Sequence, residues 1–251
     1  MVKRLWNEEI QERLESVQER IERAAARVGR SAASIKLMVV SKAQPVEAVQ
    51  AAFEAGVRMF GENYPEESAP KIAALAGMGV SWHMIGHLQS RKVKLVCQWF
   101  DMLHSLDSVS LALKLERVLM ESGRKLPCLL EVNVGGEASK FGFSPLAIDE
   151  LCLAVEQIIV LPHLEICGLM TMPPLTENPE DARPYFIQMR KLQAVLQEMF
   201  PRVCWDELSM GTSADFEQAI LEGATYVRIG QAILGSDRKS TRLNSSHRIR
   251  S

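Results

Sequence analysis

Ile35-Lys36-Leu37-Met38-Val39-Val40-Ser41-Lys42 is an apolar run that ends on a lysine, and Pro45 opens a helical segment just beyond it. A short apolar run bounded in this way predicts a buried strand. Working outward, seven comparable runs follow, at residues 59–63, 81–86, 101–106, 128–134, 164–171, 208–211 and 226–230. Helix-periodic segments lie between them, at 45–55, 65–75, 88–98, 108–121, 148–159, 181–199 and 215–221. Pro45 and Pro65 suit a first helical turn, and Gly56 follows the end of the first of these helices. A leading amphipathic helix is expected over 7–28, with Ile10, Leu14, Val17 and Ile21 on one face. Eight strand–helix alternations call for parallel strands with helical crossovers. The expected fold class is α/β, a single (β/α)8 TIM barrel with an additional N-terminal helix, because closure leaves no edge strand. An open doubly wound sheet is the alternative.

Composition narrows the function classes. The chain has 251 residues, 47% hydrophobic and 24% charged, with a formal net charge of −2. That balance offers no bulk electrostatic case for nucleic acid or an anionic membrane. No apolar run reaches membrane-spanning length, and the charged first 30 residues contain no signal-type apolar core. Five scattered cysteines without a C-x-x-C pair suit a reduced, cytoplasmic protein. No composition shift marks a second domain, so 1–236 is expected as one domain. Residues 237–251 are polar, basic and aperiodic, and are expected to be a disordered and non-native tail.

In a barrel, chemistry gathers at the carboxyl ends of the strands. The polar residues expected there are Lys42, Asn63, His83 with His87, His104 with Ser105, Asn133, Thr171, Ser209 with Ser213, and Arg228. Lys42 has two readings. Apolar surroundings would favour its free amine, the nucleophile of Schiff-base chemistry; alternatively its stem covers apolar surface while its head reaches water. The stretch Ser209-Met210-Gly211-Thr212-Ser213-Ala214-Asp215 and the turn Arg228-Ile229-Gly230-Gln231 form a glycine-containing pair of loops after the last two strands. Barrels often bind phosphate there, although each turn alone could be an ordinary helix cap. Arg228, inside an apolar run, needs a partner: either a strand-end acid such as Glu62 or a ligand atom to which it donates. His83 and His87 have an H-x-x-x-H spacing, but strand and turn residues separate them and no third ligand is adjacent, so no metal site is expected.

Several segments carry a resemblance: Val40-Ser41-Lys42, Phe60-Gly61-Glu62-Asn63-Tyr64, Trp82-His83-Met84-Ile85-Gly86-His87-Leu88-Gln89-Ser90, His104-Ser105-Leu106-Asp107, Val132-Asn133 with Ser139-Lys140-Phe141-Gly142-Phe143, Gly168-Leu169-Met170-Thr171, Leu208-Ser209-Met210-Gly211, Ser213-Ala214-Asp215 and Val227-Arg228-Ile229-Gly230. In order and in combination, over about 35–235, the chain resembles the pyridoxal 5′-phosphate homeostasis protein family. The resemblance implies a barrel like the N-terminal domain of alanine racemase. It implies the cofactor pyridoxal 5′-phosphate held as an internal aldimine (a Schiff base) on Lys42, with Arg228 at the pyridine nitrogen. Ser213 and the Gly211 and Gly230 turns would hold the phosphate, with Ser209 and Gln231 among the cofactor-binding residues and Asn63 and His83 near the ring. Lys140 matches a family lysine of unfixed role. Thr212 and Gln231 depart from the usual methionine and from the usual threonine or serine.

An arginine at the pyridine nitrogen only donates, which weakens the ring as an electron sink. Racemases of this architecture add a second domain that closes the site, and no segment for one follows the eighth run. The expected function is therefore cofactor homeostasis: a carrier or buffer of pyridoxal phosphate, with apo pyridoxal phosphate enzymes as partners. The alternatives are a racemase-like enzyme acting on an amino acid and a barrel enzyme for a phosphorylated metabolite.

Overall fold

A computed structural model describes residues 2–235, so the expectation for the 237–251 tail lies outside the described residues. Eight parallel strands close into a barrel in chain order, β1 pairing with both β2 and β8. They are β1 (Lys36–Val40), β2 (Met59–Glu62), β3 (Ser81–Met84), β4 (Met102–Leu106), β5 (Leu126–Val132), β6 (Leu164–Thr171), β7 (Glu207–Thr212) and β8 (Tyr226–Ile229). The helices are α1 (Val2–Arg27), α2 (Val46–Glu54), α3 (Pro65–Ala74), α4 (Val93–Trp99), α5 (Val109–Ser122), α6 (Ile148–Ile158), α7 (Arg183–Met199), α8 (Phe216–Leu221) and α9 (Gln231–Leu234). The closed barrel, rather than the open sheet, is what the alternation produces.

The apolar face anticipated for α1 is buried, at Ile10, Leu14, Val17 and Ile21. It packs on α2, α8 and α9, around the β8–β1 junction. Strand alternation divides the core in two. One set, including Phe60, Trp82 and Leu103, packs between the strands and the helices. A small inner set of Met38, Met102, Leu129, Met170 and Tyr226 fills the barrel interior. At the amino-terminal end, Lys36 pairs with Glu207 and lies over the Tyr226 ring, 4.6 Å from its centroid.

Several boundaries differ from the sequence-based expectation. β1 ends at Val40, two residues before Lys42, because Ala43 turns the chain with φ of 57°. Ser41 still donates its N–H to Gly61 O (3.0 Å), so the turn leaves directly from the sheet. Pro45 is the N-cap of α2 rather than its first helical residue. Short 3-10 turns at Ser90–Lys92 and Pro179–Ala182 precede α4 and α7 and shorten both helices at their starts.

Candidate functional site

The carboxyl end of the barrel carries most of the anticipated polar ring. Lys42 sits there on the β1–α2 turn and is exposed, which corrects the expectation of an apolar setting: the strand stops short of it. What holds the turn lies beneath Lys42. Ser41 is fully buried; its hydroxyl donates to Glu62 Oε1 (2.6 Å) and its carbonyl accepts from Lys71 Nζ (2.6 Å). Lys71 Nζ also reaches Glu62 Oε1 at 2.7 Å, a buried ion pair between β2 and α3. Burial pushes the Glu62 carboxyl up, against the pull of Lys71 and Ser41.

Glu62 is thus not the partner of Arg228. Gly61 faces the barrel interior, where a Cβ would meet Met38, so Glu62, one residue on, faces the helices. Arg228 is 3% exposed and points inward. Its Nη1 donates to Ser209 Oγ (2.8 Å) and its Nη2 to the Thr171 carbonyl (2.9 Å). Both acceptors are neutral. Burial pulls Arg228 down to about 10, against the attraction of Asp215 and Glu131, so the guanidinium stays charged at neutral pH.

His83 lies one layer below the mouth rather than on its rim. Its Nε2 is 2.8 Å from Ser81 Oγ and its Nδ1 is 2.9 Å from His104 Nε2. His104 Nδ1 is in turn 2.9 Å from Ser209 Oγ. Burial and the Lys36 ammonium pull His83 down to about 4. Burial, then His83, Arg228 and Lys36, hold His104 well below its ordinary value. Both rings are therefore neutral. His87 parts company with His83: it is exposed, stacks on Phe141 (centroids 3.4 Å apart) and meets Asp107 Oδ2 at 3.1 Å.

The β7 and β8 loops meet as anticipated, the Ala232 N–H donating to Ser213 Oγ at 3.4 Å. Asp215 turns back on its own loop, its Oδ1 accepting from Thr212 N (2.6 Å) and Thr212 Oγ1 (3.0 Å). Gly211 has φ of 90°, and a Cβ there would lie 2.6 Å from the Ala219 Cβ. Only glycine lets this loop pack on α8. Gly230 caps α9, with Gln231 its first residue. Asn63 sits just past β2, and its Oδ1 is buried without a partner. Asn133 Oδ1 is likewise unpartnered, while its Nδ2 donates to the Glu137 and Lys140 carbonyls and folds the β5–α6 loop. Lys140 pairs with Glu137 and donates to Met172 O (3.2 Å). A cleft of about 480 Å³ opens on the β3–β5 side of the rim, lined by His87, Asp107, Ser108, Lys140 and Phe141.

Two participants escaped the sequence reading. Glu131 lies two residues after the interior Leu129, with Oε2 buried and unpartnered. Burial, with a contribution from Asp107 and against Arg228, pushes its carboxyl up to about 7. The signal was an acid in an apolar run, two residues before Asn133. Lys71 gave no signal, being an ordinary lysine on a mixed helix.

The donor set suits a phosphorylated aldehyde: a primary amine open to solvent, a hydroxyl and backbone N–H groups where two loops meet, and a buried cation held by neutral acceptors. The alanine racemase N-terminal domain family matches residues 13–238. A pyridoxal phosphate homeostasis protein of Aquifex aeolicus is 42% identical over 200 residues, covering 80% of this chain and 86% of its own. One from Vibrio cholerae is 41% identical over 206 residues, covering 80% and 85%. PipY of Synechococcus elongatus, solved with PLP bound, superposes with a TM-score of 0.78 at 35% identity, covering 90% of this chain and 100% of its own. The chain therefore belongs to the alanine racemase N-terminal domain family and, within it, to the pyridoxal phosphate homeostasis proteins.

Proposed function

We propose that this protein binds pyridoxal 5′-phosphate and serves cytoplasmic cofactor homeostasis, holding the reactive aldehyde and releasing it to apo-enzymes. The observation that carries this reading is the exposed Lys42 at the same barrel end as the meeting Ser213 and Gly230 loops and Arg228, whose hydrogen-bond acceptors are both neutral. When bound, the cofactor supplies an aldehyde that condenses with a primary amine. Lys42 offers that amine, and the Ser41–Glu62–Lys71 node holds its turn in place. Ser213, with the backbone at Gly211, Gly230 and Gln231, takes the phosphate. Arg228, fixed by Ser209, would donate to the pyridine nitrogen, and Asn63 would offer its unpartnered Oδ1 to the cofactor. His83 acts from the interior, through His104. An exposed anchor suits capture and hand-over, because Lys42 is open to solvent among the described residues.

The test is absorbance titration of the purified protein with pyridoxal phosphate, borohydride reduction and peptide mapping. One stable adduct, on Lys42 and absent in Lys42→Ala, is expected. An adduct spread evenly over surface lysines would overturn the reading. Transfer to an apo-enzyme faster than from free cofactor at the same free concentration tests the hand-over.

A racemase-like activity has one observation in its favour. Glu131, whose Oε2 is buried without a partner and whose carboxyl burial pushes up to about 7, would serve there as a proton carrier. Exchange of an amino acid α-proton in deuterated water, lost in both Lys42→Ala and Glu131→Gln, would establish it.

A further inference from the structure

A hydrogen-bonded chain of side chains crosses the whole barrel interior. It runs from Ser81, the first residue of β3, through His83 (3% exposed) and His104 (0%) to Ser209 (0%), and ends on Arg228 (3%) below the mouth. Each link is 2.8 or 2.9 Å. Its direction follows from donor counting. Arginine can only donate, so Ser209 Oγ accepts from Arg228. The Ser209 proton then has His104 Nδ1 as its acceptor. His104 passes Nε2–H to His83 Nδ1, and His83 passes Nε2–H to Ser81. In the reverse polarity Ser209 would accept twice, and its own proton would be buried with none of these partners, at the cost of an unmade hydrogen bond. A positive charge on either ring would add to Arg228 at one end and to Lys36, itself paired with Glu207, at the other, with the Tyr226 ring packed against both imidazoles.

We propose that His83 and His104 are positioning residues for Arg228, forming with Ser81 and Ser209 a one-directional wire that orients the guanidinium on neutral acceptors and leaves its charge for a ligand at the mouth. A carboxylate in place of Ser209 would neutralise that charge; a hydroxyl polarised by two neutral imidazoles does not. The ligand part of this inference rests on the assignment of Arg228 to the pyridine nitrogen, whereas the wire itself does not.

The first test is nitrogen-15 NMR of histidine-labelled full-length protein without added cofactor, with His83→Gln and His104→Asn used for assignment. Both rings are expected as neutral Nε2–H tautomers over roughly pH 5.5–8. An Nδ1–H tautomer at either, or titration of either within that range, would overturn the wire. The second test is pyridoxal phosphate titration. His104→Asn retains an acceptor for the Ser209 proton, and His104→Phe removes it. About tenfold weaker binding with a shifted absorbance band is expected for His104→Phe, and a loss within about threefold for His104→Asn. Unchanged affinity and band in both would overturn the positioning role. Circular dichroism checks that His104→Phe folds; if it does not, the NMR result on the unmodified protein decides. Failure of the unmodified protein to bind pyridoxal phosphate would instead refute the functional reading, with the tautomers still measurable.

Discussion

Replacing Glu131 by glutamine should make the protein more stable, with a gain that grows as pH rises from about 4.5 to about 7 and is full above that. The carboxyl is half-buried, one oxygen has no partner, and Asp107 repels its charge, so its pKa rises from 4.5 to about 7. The two values differ by about 2.5 units, and each unit corresponds to about 1.4 kcal/mol, giving about 3 kcal/mol. The sign follows from proton binding. Below 4.5 both folded and unfolded chains hold the proton, and the group contributes nothing. Between 4.5 and 7 the folded chain keeps it while the unfolded chain has lost it, so stability falls as pH rises. Above 7 both are ionised and the full cost of the buried carboxylate is present. Glutamine matches the shape and does not titrate. Urea denaturation of both proteins without cofactor at pH 5 and pH 8 reads the difference, with equal m-values as the check on the unfolded state. The glutamine variant should be within about 1 kcal/mol of the parent at pH 5 and more stable by up to about 3 kcal/mol at pH 8. All other titrating groups are common to both proteins and cancel in the difference. A gap of equal size at both pH values, or a glutamine variant less stable at pH 8, would refute the reasoning.

Lys71→Met strands the buried Glu62 carboxylate beneath the Lys42 turn and should cost about 3–5 kcal/mol in denaturant unfolding, with slower capture of pyridoxal phosphate by Lys42. Combining it with Glu62→Leu should recover much of the stability but not the capture rate, because the Ser41 hydroxyl and carbonyl remain without their side-chain partners. Ala43→Val places a β-branched side chain at φ of 57° and should destabilise by about 1–2 kcal/mol, measured as a fall in urea midpoint, whereas Ala43→Gly should be near neutral. Gly211→Ala puts a methyl 2.6 Å from the Ala219 Cβ and 2.9 Å from the Phe216 Cα. It should cost at least about 1 kcal/mol and weaken inorganic phosphate and cofactor binding together, read by thermal shift with each ligand.

The architecture was legible because its signals are local. Apolar runs separated by amphipathic segments report strands and helices one at a time, and eight alternations leave few ways to bury every strand on both faces. The Ser209–Asp215 and Arg228–Gln231 turns were legible for the same reason, since glycine and serine in a strand-to-helix turn act over a few residues. Lys42 was legible as a residue but not as an environment. Its exposure depends on where β1 stops, and that depends on Ala43 taking a left-handed turn. The H-x-x-x-H spacing of His83 and His87 says nothing of the barrel wall between them.

Taken alone, the sequence determined the strand and helix order, the barrel, the glycine-containing loops after β7 and β8 and the identity of the groups at one mouth, all properties of neighbouring residues. Tertiary structure alone decided the partners. Closure of the barrel sets Arg228 against Ser209, 19 residues away, and Ser209 against His104, 105 residues away. The pleat of β2 turns Glu62 outward to Lys71 instead of inward to Arg228. Hydrogen bonds and burial act over a few ångströms of space and are indifferent to separation along the chain, so the charge state of Glu131 and the neutrality of the two histidines emerge only once the strands have been brought together.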